Sequence, residues 1–434
     1  MPWFSEKSDR IGQARLAELM ERTAEEARSR ICAKPKRVLL LPPDITRAHS
    51  GVGMLTEMLY NHFQGEADVH VIPTLGQHVP HTPEENRRMF GAIPNERIHA
   101  HDWREGVIRV GELSADFIKE TTRGAADWAF PIWLNRSLMT EPWDLVINVG
   151  HVVPHEVLGF ANHNKNYLIG LAGKELICTS HMAAACCGIE NNLGTLTTPV
   201  RACFNQAEDD YLGHLPDLYV QVVMARSPEG DLVHTGVHVG DDLETYLEAA
   251  RQSREQNITV FDEPVRKVVC VMQADEFHST WVANKAVYRT RMALADGGEL
   301  VIIAPGLNRF GEQPEVDALI RKYGYVGTPR VMEQYGTNAD MQDLAHGTAH
   351  LIHGSSEGRF TITYAPGHVT KEEIEGVGFQ YADLGQTLAK YPPEKLKEGW
   401  NDVGGERILF IPTPSAGLWA WREKLTNRPA GFET

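Results

Sequence analysis

Apolar residues follow two rhythms along this chain. Short unbroken runs end at proline or glycine, and longer stretches repeat every three or four positions. The first rhythm marks strands buried on both faces and the second marks amphipathic helices. Ile11, Leu16, Leu19, Met20 and Ala24 recur near helical spacing among charges, which predicts a surface helix over about residues 10–30. Val38, Leu39, Leu40 and Leu41 predict a buried strand stopped by Pro42 and Pro43. A helix over about 51–65, a strand over 68–73 and a helix opening at Pro83 follow. Leu145, Val146, Ile147, Asn148 and Val149 form another buried strand, broken at Gly150.

Strands alternating with helices predict an α/β protein whose two domains hold mainly parallel sheets flanked by helices. Residues 218–224 and 232–237 flank Pro228, Glu229, Gly230 and Asp231, a hairpin signal that adds antiparallel pairing at the edge of the first sheet. A helix over about 242–256 leads to a new strand at 267–272, so the main boundary is expected near residue 263. This gives an N-terminal cofactor-binding domain, 1–262, and a C-terminal α/β domain, 263–434, whose last strand is a candidate for return to the first. The second region repeats the pattern, with a helix over about 281–294 and strands at 299–305, 360–364 and 408–412. No fixed period or low-complexity segment occurs, which excludes solenoids and propellers.

A length of 434 residues exceeds what one core usually holds and agrees with two domains. Forty-two Lys and Arg against 58 Asp and Glu leave a formal charge of -16, which argues against a nucleic-acid binder but not against one small anion held locally. Six cysteines show no CxxC pair and fit a reduced compartment; Cys186 and Cys187 read as core residues before a redox pair. The N-terminus has no apolar signal core, and no window approaches the roughly 20 apolar residues of a membrane span. A cytoplasmic protein without membrane or nucleic-acid partners is expected.

Three strands end in polar loops, which a parallel sheet would align along one edge, where α/β proteins bind ligands. The first loop carries Asp44, Ile45, Thr46 and Arg47; Asp44 reads equally as a helix N-cap or as a partner for Arg47. The second carries Gly76, Gln77, His78 and His81, with His81 read as a surface residue. The third carries His151, Pro154, His155, Asn162, His163, Asn164 and Lys165, with His181 beyond. No HExxH, GxGxxG or phosphate-loop motif occurs, so a zinc site built on these histidines has no motif behind it. Lys165 is open to three readings: a surface charge, a phosphate ligand or a covalent anchor.

PHEVLGFANHNK followed by TSH at 179–181, with DITR and GQHVPHT upstream, resembles the nickel-dependent lactate racemase family of 2-hydroxy acid racemases and epimerases. WVANKA at 281–286 and the strand after it are similar to the family's lysine-bearing helix and its following strand. The resemblance implies an active site in the cleft between two domains and an isomerase that uses a nickel-pincer nucleotide, the Ni(II) pyridinium-3,5-bisthiocarboxylic acid mononucleotide. It further implies that Lys165 anchors this cofactor near Asp44, that His181 ligates nickel, and that His78 and His155 alternate as general bases. Arg47, Lys285 and Trp281 are implied on the substrate side. Separate cofactor-synthesis proteins are implied as partners.

Inverting C2 of a 2-hydroxy acid breaks an unacidified C–H bond. Removal as hydride, with a histidine taking the hydroxyl proton, leaves a planar keto acid reducible from either face. Two departures bear on the substrate. Asn162, His163 and Asn164 stand where lactate-racemising members carry a glycine-rich stretch, and Trp281 and Val282 replace a tyrosine and a glutamine. Asn162 and His163 are therefore expected to bind a substrate larger or more polar than lactate, a sugar acid or hydroxy diacid. Two other readings compete: a divalent-metal lyase or hydrolase using the same histidines, and a non-catalytic binder of an anionic metabolite.

Overall fold

In a computed structural model, which describes residues 1–227, 229–429 and 432, the chain divides into two compact units. The first comprises Met1–Ser180 and Leu196–Gln256, the second His181–Thr195 and Asn257–Thr434. The division thus falls a few residues before the boundary read from sequence. It also groups 181–195 with the second unit, which no local pattern announced.

The first unit is built on a six-stranded sheet of β1 (Phe4–Lys7), β2 (Arg37–Leu41), β3 (Asp68–Val71), β4 (Leu145–His151), β5 (Asp217–Arg226) and β6 (Leu232–Gly240), in the order β1-β6-β5-β4-β2-β3. The pairs β3 with β2, β2 with β4 and β4 with β5 are parallel, while β5 with β6 and β6 with β1 are antiparallel. The hairpin expected from the turn signal is therefore β5–β6; Pro228 of that turn lies outside the described residues. Leu40 pairs with both Val71 and Ile147, so β2, β3 and β4 run in step and their polar loops leave from one edge.

Helices cover this sheet because their apolar stripes face it. Gln13–Arg30 (α1) buries Leu16, Leu19, Met20, Ala24 and Ala27, and Val52–Phe63 (α2) buries Leu55, Leu59 and Phe63. These residues share one core with Val38, Leu40, Ile147, Val149, Val220 and Val222. Three further helices matter for the site: Lys165–Leu168 (α3), Lys174–Cys187 (α4) and Pro199–Tyr211 (α5).

The second unit holds a six-stranded sheet and a separate parallel pair. Its strands are β7 (Ile258–Phe261), β8 (Val265–Val271), β9 (Leu294–Ala304), β10 (Phe360–Pro366), β11 (Gln380–Tyr381), β12 (Gly399–Val403), β13 (Glu406–Ile411) and β14 (Leu418–Trp421). The sheet order is β11-β10-β9-β8-β13-β12, parallel except for β12 with β13. The last strand, β14, pairs with β7 inside this unit and does not return to the first.

The helix expected over 281–294 is instead two short ones, Thr280–Ala283 (α6) and Lys285–Thr290 (α7), and Leu294 already belongs to β9. The break falls at Asn284, which ends the first helix and precedes the second and whose Oδ1 accepts from the Tyr364 hydroxyl at 2.7 Å. Ala345–His353 (α8) lies against this region through its histidines. No helix among the described residues is long and apolar enough to cross a membrane.

Candidate active site

At the end of β2, Asp44 is the helix cap that the sequence offered as one alternative, and its second oxygen goes to His78. Its Oδ1 accepts from the Thr46 amide at 3.1 Å and hydroxyl at 2.6 Å, capping the turn Ile45–Ser50. Its Oδ2 meets Nδ1 of His78, from the loop after β3. Burial alone would raise this carboxyl, but the charge and hydrogen bonds of His78 and Thr46 outweigh it and hold it well below the usual carboxylate range.

His78 keeps 29% of its side chain exposed. With Nδ1–H donating to Asp44, its Nε2 is the unprotonated ring atom in the neutral form and can accept a proton. His155 has the opposite arrangement. Its Nδ1 accepts from the Val157 amide at 3.2 Å, so the neutral ring carries its proton on Nε2, 3.9 Å from Glu156. Pro154 and His155 pair with Phe160 and Gly159 in a miniature hairpin that fixes the ring's position. His81 is a loop pin, not a surface residue: its Nε2 accepts from the Ile45 amide at 2.8 Å and its Nδ1 faces Asn86 Oδ1 at 3.1 Å.

Lys165 opens α3 and is half-buried. Burial, then the nearby positive charge of Arg47, pushes its amine down to about 8, against the opposing pull of Asp44 and Glu156. The loops after β2 and β4 therefore converge on one centre containing two cations and two carboxylates. Such a lysine is neutral in a sizeable fraction near pH 8, which suits a covalent anchor better than a surface charge.

Asn162 and His163 do not occupy the substrate position expected of them. Both are 2% exposed and committed to protein partners. The Asn162 amide donates to Gln221 at 2.7 Å and its oxygen accepts from Asn166 at 2.6 Å. The His163 ring packs 4.2 Å from Tyr219 and 5.2 Å from Tyr246, and burial, with Arg201 nearby, keeps it well below its ordinary pKa. Asn164 donates to Asn205 and Glu208 at 2.8 and 2.9 Å. The polar appetite read from this stretch is satisfied internally, and the inference of a larger, more polar substrate loses its premise.

The remaining expected residues belong with the second unit. His181 lies on α4 just beyond Ser180 and is partly exposed. Trp281 and Lys285 are partly exposed while Val282, Ala283, Asn284 and Ala286 between and beside them are buried. The Trp281 ring lies 4.6 Å from His350 and 5.8 Å from His346, and Lys285 Nζ stands 5.8 Å from the Phe277 ring. Among the described residues no three His, Cys, Asp or Glu side chains could together hold a metal ion, so the lone-ion hydrolase or lyase reading finds no donor set.

The sequence reading missed Arg201, 1% exposed on α5, and His350, 4% exposed on α8. Arg201 was legible in principle: it stands beside Val200 and three positions before Phe204 on the apolar face of its helix, where an unpaired charge would be costly.

Comparison with known proteins bears on the family and the fold. Residues 8–192 match the lactate racemase N-terminal domain family. A crystal structure of a protein from Thermotoga maritima superimposes with a TM-score of 0.81 at 25% identity, covering 96% of this chain and 100% of that one. The lactate racemase apoprotein from Thermoanaerobacterium thermosaccharolyticum superimposes with a TM-score of 0.64 at 16% identity, over 96% of this chain and 93% of that one, a likeness of fold. No curated protein matches the chain.

Proposed function

We propose, from the match of residues 8–192 to the lactate racemase N-terminal domain family, that this chain is an isomerase that inverts C2 of a small 2-hydroxy acid. The observation that carries the reading is a pair of histidines whose Nδ1 partners favour opposite tautomers. His78 presents an unprotonated Nε2 backed by Asp44, and His155 presents a protonated Nε2 backed by a backbone amide. A reaction reversible from either face needs one group to take the hydroxyl proton and another to return it, with roles exchanged in the opposite direction. Asp44 stabilises the imidazolium that His78 becomes on taking the proton. Arg47 supplies a fixed positive charge suited to the substrate carboxylate.

The residues fit the cofactor that the resemblance implies. A depressed amine at Lys165 beside Arg47 is a centre whose cationic repulsion an anionic nucleotide would relieve, and the amine is neutral often enough to bond covalently. Lys165 would anchor the nickel-pincer nucleotide and His181 would be the protein's ligand to its nickel, the group being loaded by separate synthesis proteins. When bound, it supplies the hydride acceptor that the side chains lack. From the second unit, Lys285 and Trp281 are proposed to meet the substrate. The test is a screen of 2-hydroxy acids for loss of optical purity with cofactor-loaded protein. Racemisation of at least one, abolished in His78→Ala, is expected; loaded protein that leaves every acid optically pure would overturn the reading.

A further inference from the structure

The turn that delivers Lys165 is tied down at every residue before it. Asn162 and His163 are consecutive non-glycine residues with φ of 69° and 58°, in the left-handed region that side chains seldom occupy. Backbone strain of this kind persists only where the surroundings over-determine it. Here they do. Arg201 reaches into the turn and donates through Nη2 to the Phe160 carbonyl at 2.7 Å. Both of its terminal nitrogens also approach the Asn162 carbonyl at 3.4 Å, and Nη1 bonds the Asn164 side chain. The Ala161 amide donates to the Val153 carbonyl at 2.8 Å. Asn148 reaches the His163 carbonyl at 3.4 Å, and the His163 ring is held by Tyr219 and Tyr246.

We infer that Arg201, Asn162 and His163 form a cradle of positioning residues that aims the Lys165 amine at the charged centre of Arg47, Asp44 and Glu156. The inference rests on reading Lys165 as the anchoring amine. Polar groups at 162–164 that look suited to a ligand serve instead to rigidify the chain just before the nucleophile. Arg201 has a second effect, because its buried charge adds to the repulsion that keeps that amine partly neutral. Glycine takes the left-handed conformation readily. If the turn needed only its backbone shape, glycine at 162 and 163 would serve as well; if it needs its side-chain ties, glycine frees Lys165.

The experiment is pulsed acetylation of the full chain without cofactor, from about pH 6 to about pH 11, with Lys165 modification read by peptide mass spectrometry. In the parent the midpoint is expected near 8. In Asn162→Gly/His163→Gly it should move up by at least one unit toward the ordinary lysine value of about 10.4, slowing labelling near pH 7 roughly tenfold or more. Arg201→Lys, which keeps the charge but loses the forked contacts, should shift it in the same direction. An ordinary midpoint in the parent overturns the inference, as does an unmoved midpoint in a folded double-glycine variant. Should the double variant fold poorly by circular dichroism, Asn162→Gly alone decides by the same criterion. Labelling requires neither cofactor nor turnover. An upward shift with catalytically inert loaded protein therefore sinks the racemase reading alone, and racemisation with an unmoved midpoint sinks the cradle alone.

Discussion

Two buried polar centres, one in each unit, are built from different residues and behave oppositely. Around the Lys165 turn, Arg201, Glu208 and Asp217 bring formal charges into the interior, and the ionisations there are displaced toward neutrality. Burial pushes Asp217 up to about 7 even though the Tyr167 hydroxyl donates to it at 2.8 Å, and pushes Lys165 down to about 8. Beside Trp281 runs a hydrogen-bonded chain of hydroxyls joined through the His350 imidazole. Thr280 and Tyr325 oxygens lie 2.8 Å apart, Tyr325 lies 2.8 Å from His350 Nε2, and Tyr288 lies 2.6 Å from Nδ1 of the same ring. Burial pushes Tyr325 further from ionisation. The first centre carries charge that protons can switch; the second orders an aromatic surface without it. We therefore propose acid–base chemistry at the first and shape selection at the second.

The largest effects should come from cutting the first centre. His78→Ala and His155→Ala are each expected to lower racemisation by loaded protein roughly 10²- to 10⁴-fold, the range for one general base. Lys165→Ala should abolish cofactor retention, read as nickel per chain, while circular dichroism stays that of the parent. Near-normal rates in either histidine variant would remove that residue from the proton transfers and dissolve the contrast between the centres.

Arg201→Met should destabilise strongly, because it strips donors from the Phe160 and Asn162 carbonyls and the Asn164 side chain in a site without solvent. Each acceptor left dry costs about 1–3 kcal/mol. A clear fall in melting temperature is expected, larger than for any single hydroxyl removed from the Tyr325–His350 chain.

What the sequence disclosed and what it hid follow the same division. The near-continuous apolar runs of β2 and β4 and the prolines that end β2 made the sheet edge and its three loops legible, since such runs have few alternatives to a buried parallel strand; β4 itself runs through Gly150 to His151. The helical faces of α1 and α2 were legible from their period. The direction of a side chain was not. Asn162 and His163 read as ligand-facing because they are polar, whereas their left-handed backbone and distant partners, Gln221, Tyr219 and Tyr246, turn them inward. The affiliation of 181–195 was equally hidden. It depends on Glu190 meeting Arg291, Arg359 and Lys424 at 3.3, 2.8 and 2.9 Å, contacts made across more than a hundred residues of chain. The hairpin of Val107–Leu113 with Phe130–Asn135 escaped because a register shift between Arg109 and Gly111 breaks the alternation that would mark it.

The charged centre should also leave a signature in stability against pH. The folded pKa of Asp217 lies above its ordinary 3.8, so the native state binds the extra proton, and its contribution is lost as pH rises from about 4 to about 7. The folded pKa of Lys165 lies below its ordinary 10.5, so the unfolded state binds the extra proton, and stability recovers as pH rises from about 8 toward 10.5. Together they lower stability in the band from about 7 to about 8 relative to either side. Melting temperatures across that range should show a shallow minimum, flattened on the acid side by Asp217→Asn and on the alkaline side by Lys165→Met. A profile unchanged by both substitutions would remove the switchable charge from this centre.

The smallest effect, and the sharpest test of the second centre's neutrality, is Tyr288→Phe. Tyr288 is 4% exposed, and its hydroxyl meets His350 Nδ1 at 2.6 Å. Phenylalanine keeps the ring's volume and its edge-on packing against His350 and His353, whose centroids lie 6.2 and 6.0 Å away, so only the hydrogen bond is lost. Removing one neutral hydrogen bond costs about 1 kcal/mol, a fall of a few degrees at most in the transition. Tyr325→Phe should cost more, because that hydroxyl touches both Thr280 and His350. Because no member of this chain of hydroxyls needs to carry charge, the loss should be the same at about pH 6 and about pH 9, bracketing the range where an imidazole titrates. A loss that grows in acid would mean that His350 is protonated and held by the Tyr288 oxygen. The second centre would then be a proton-sensitive site like the first, with Trp281 stacked on a cation.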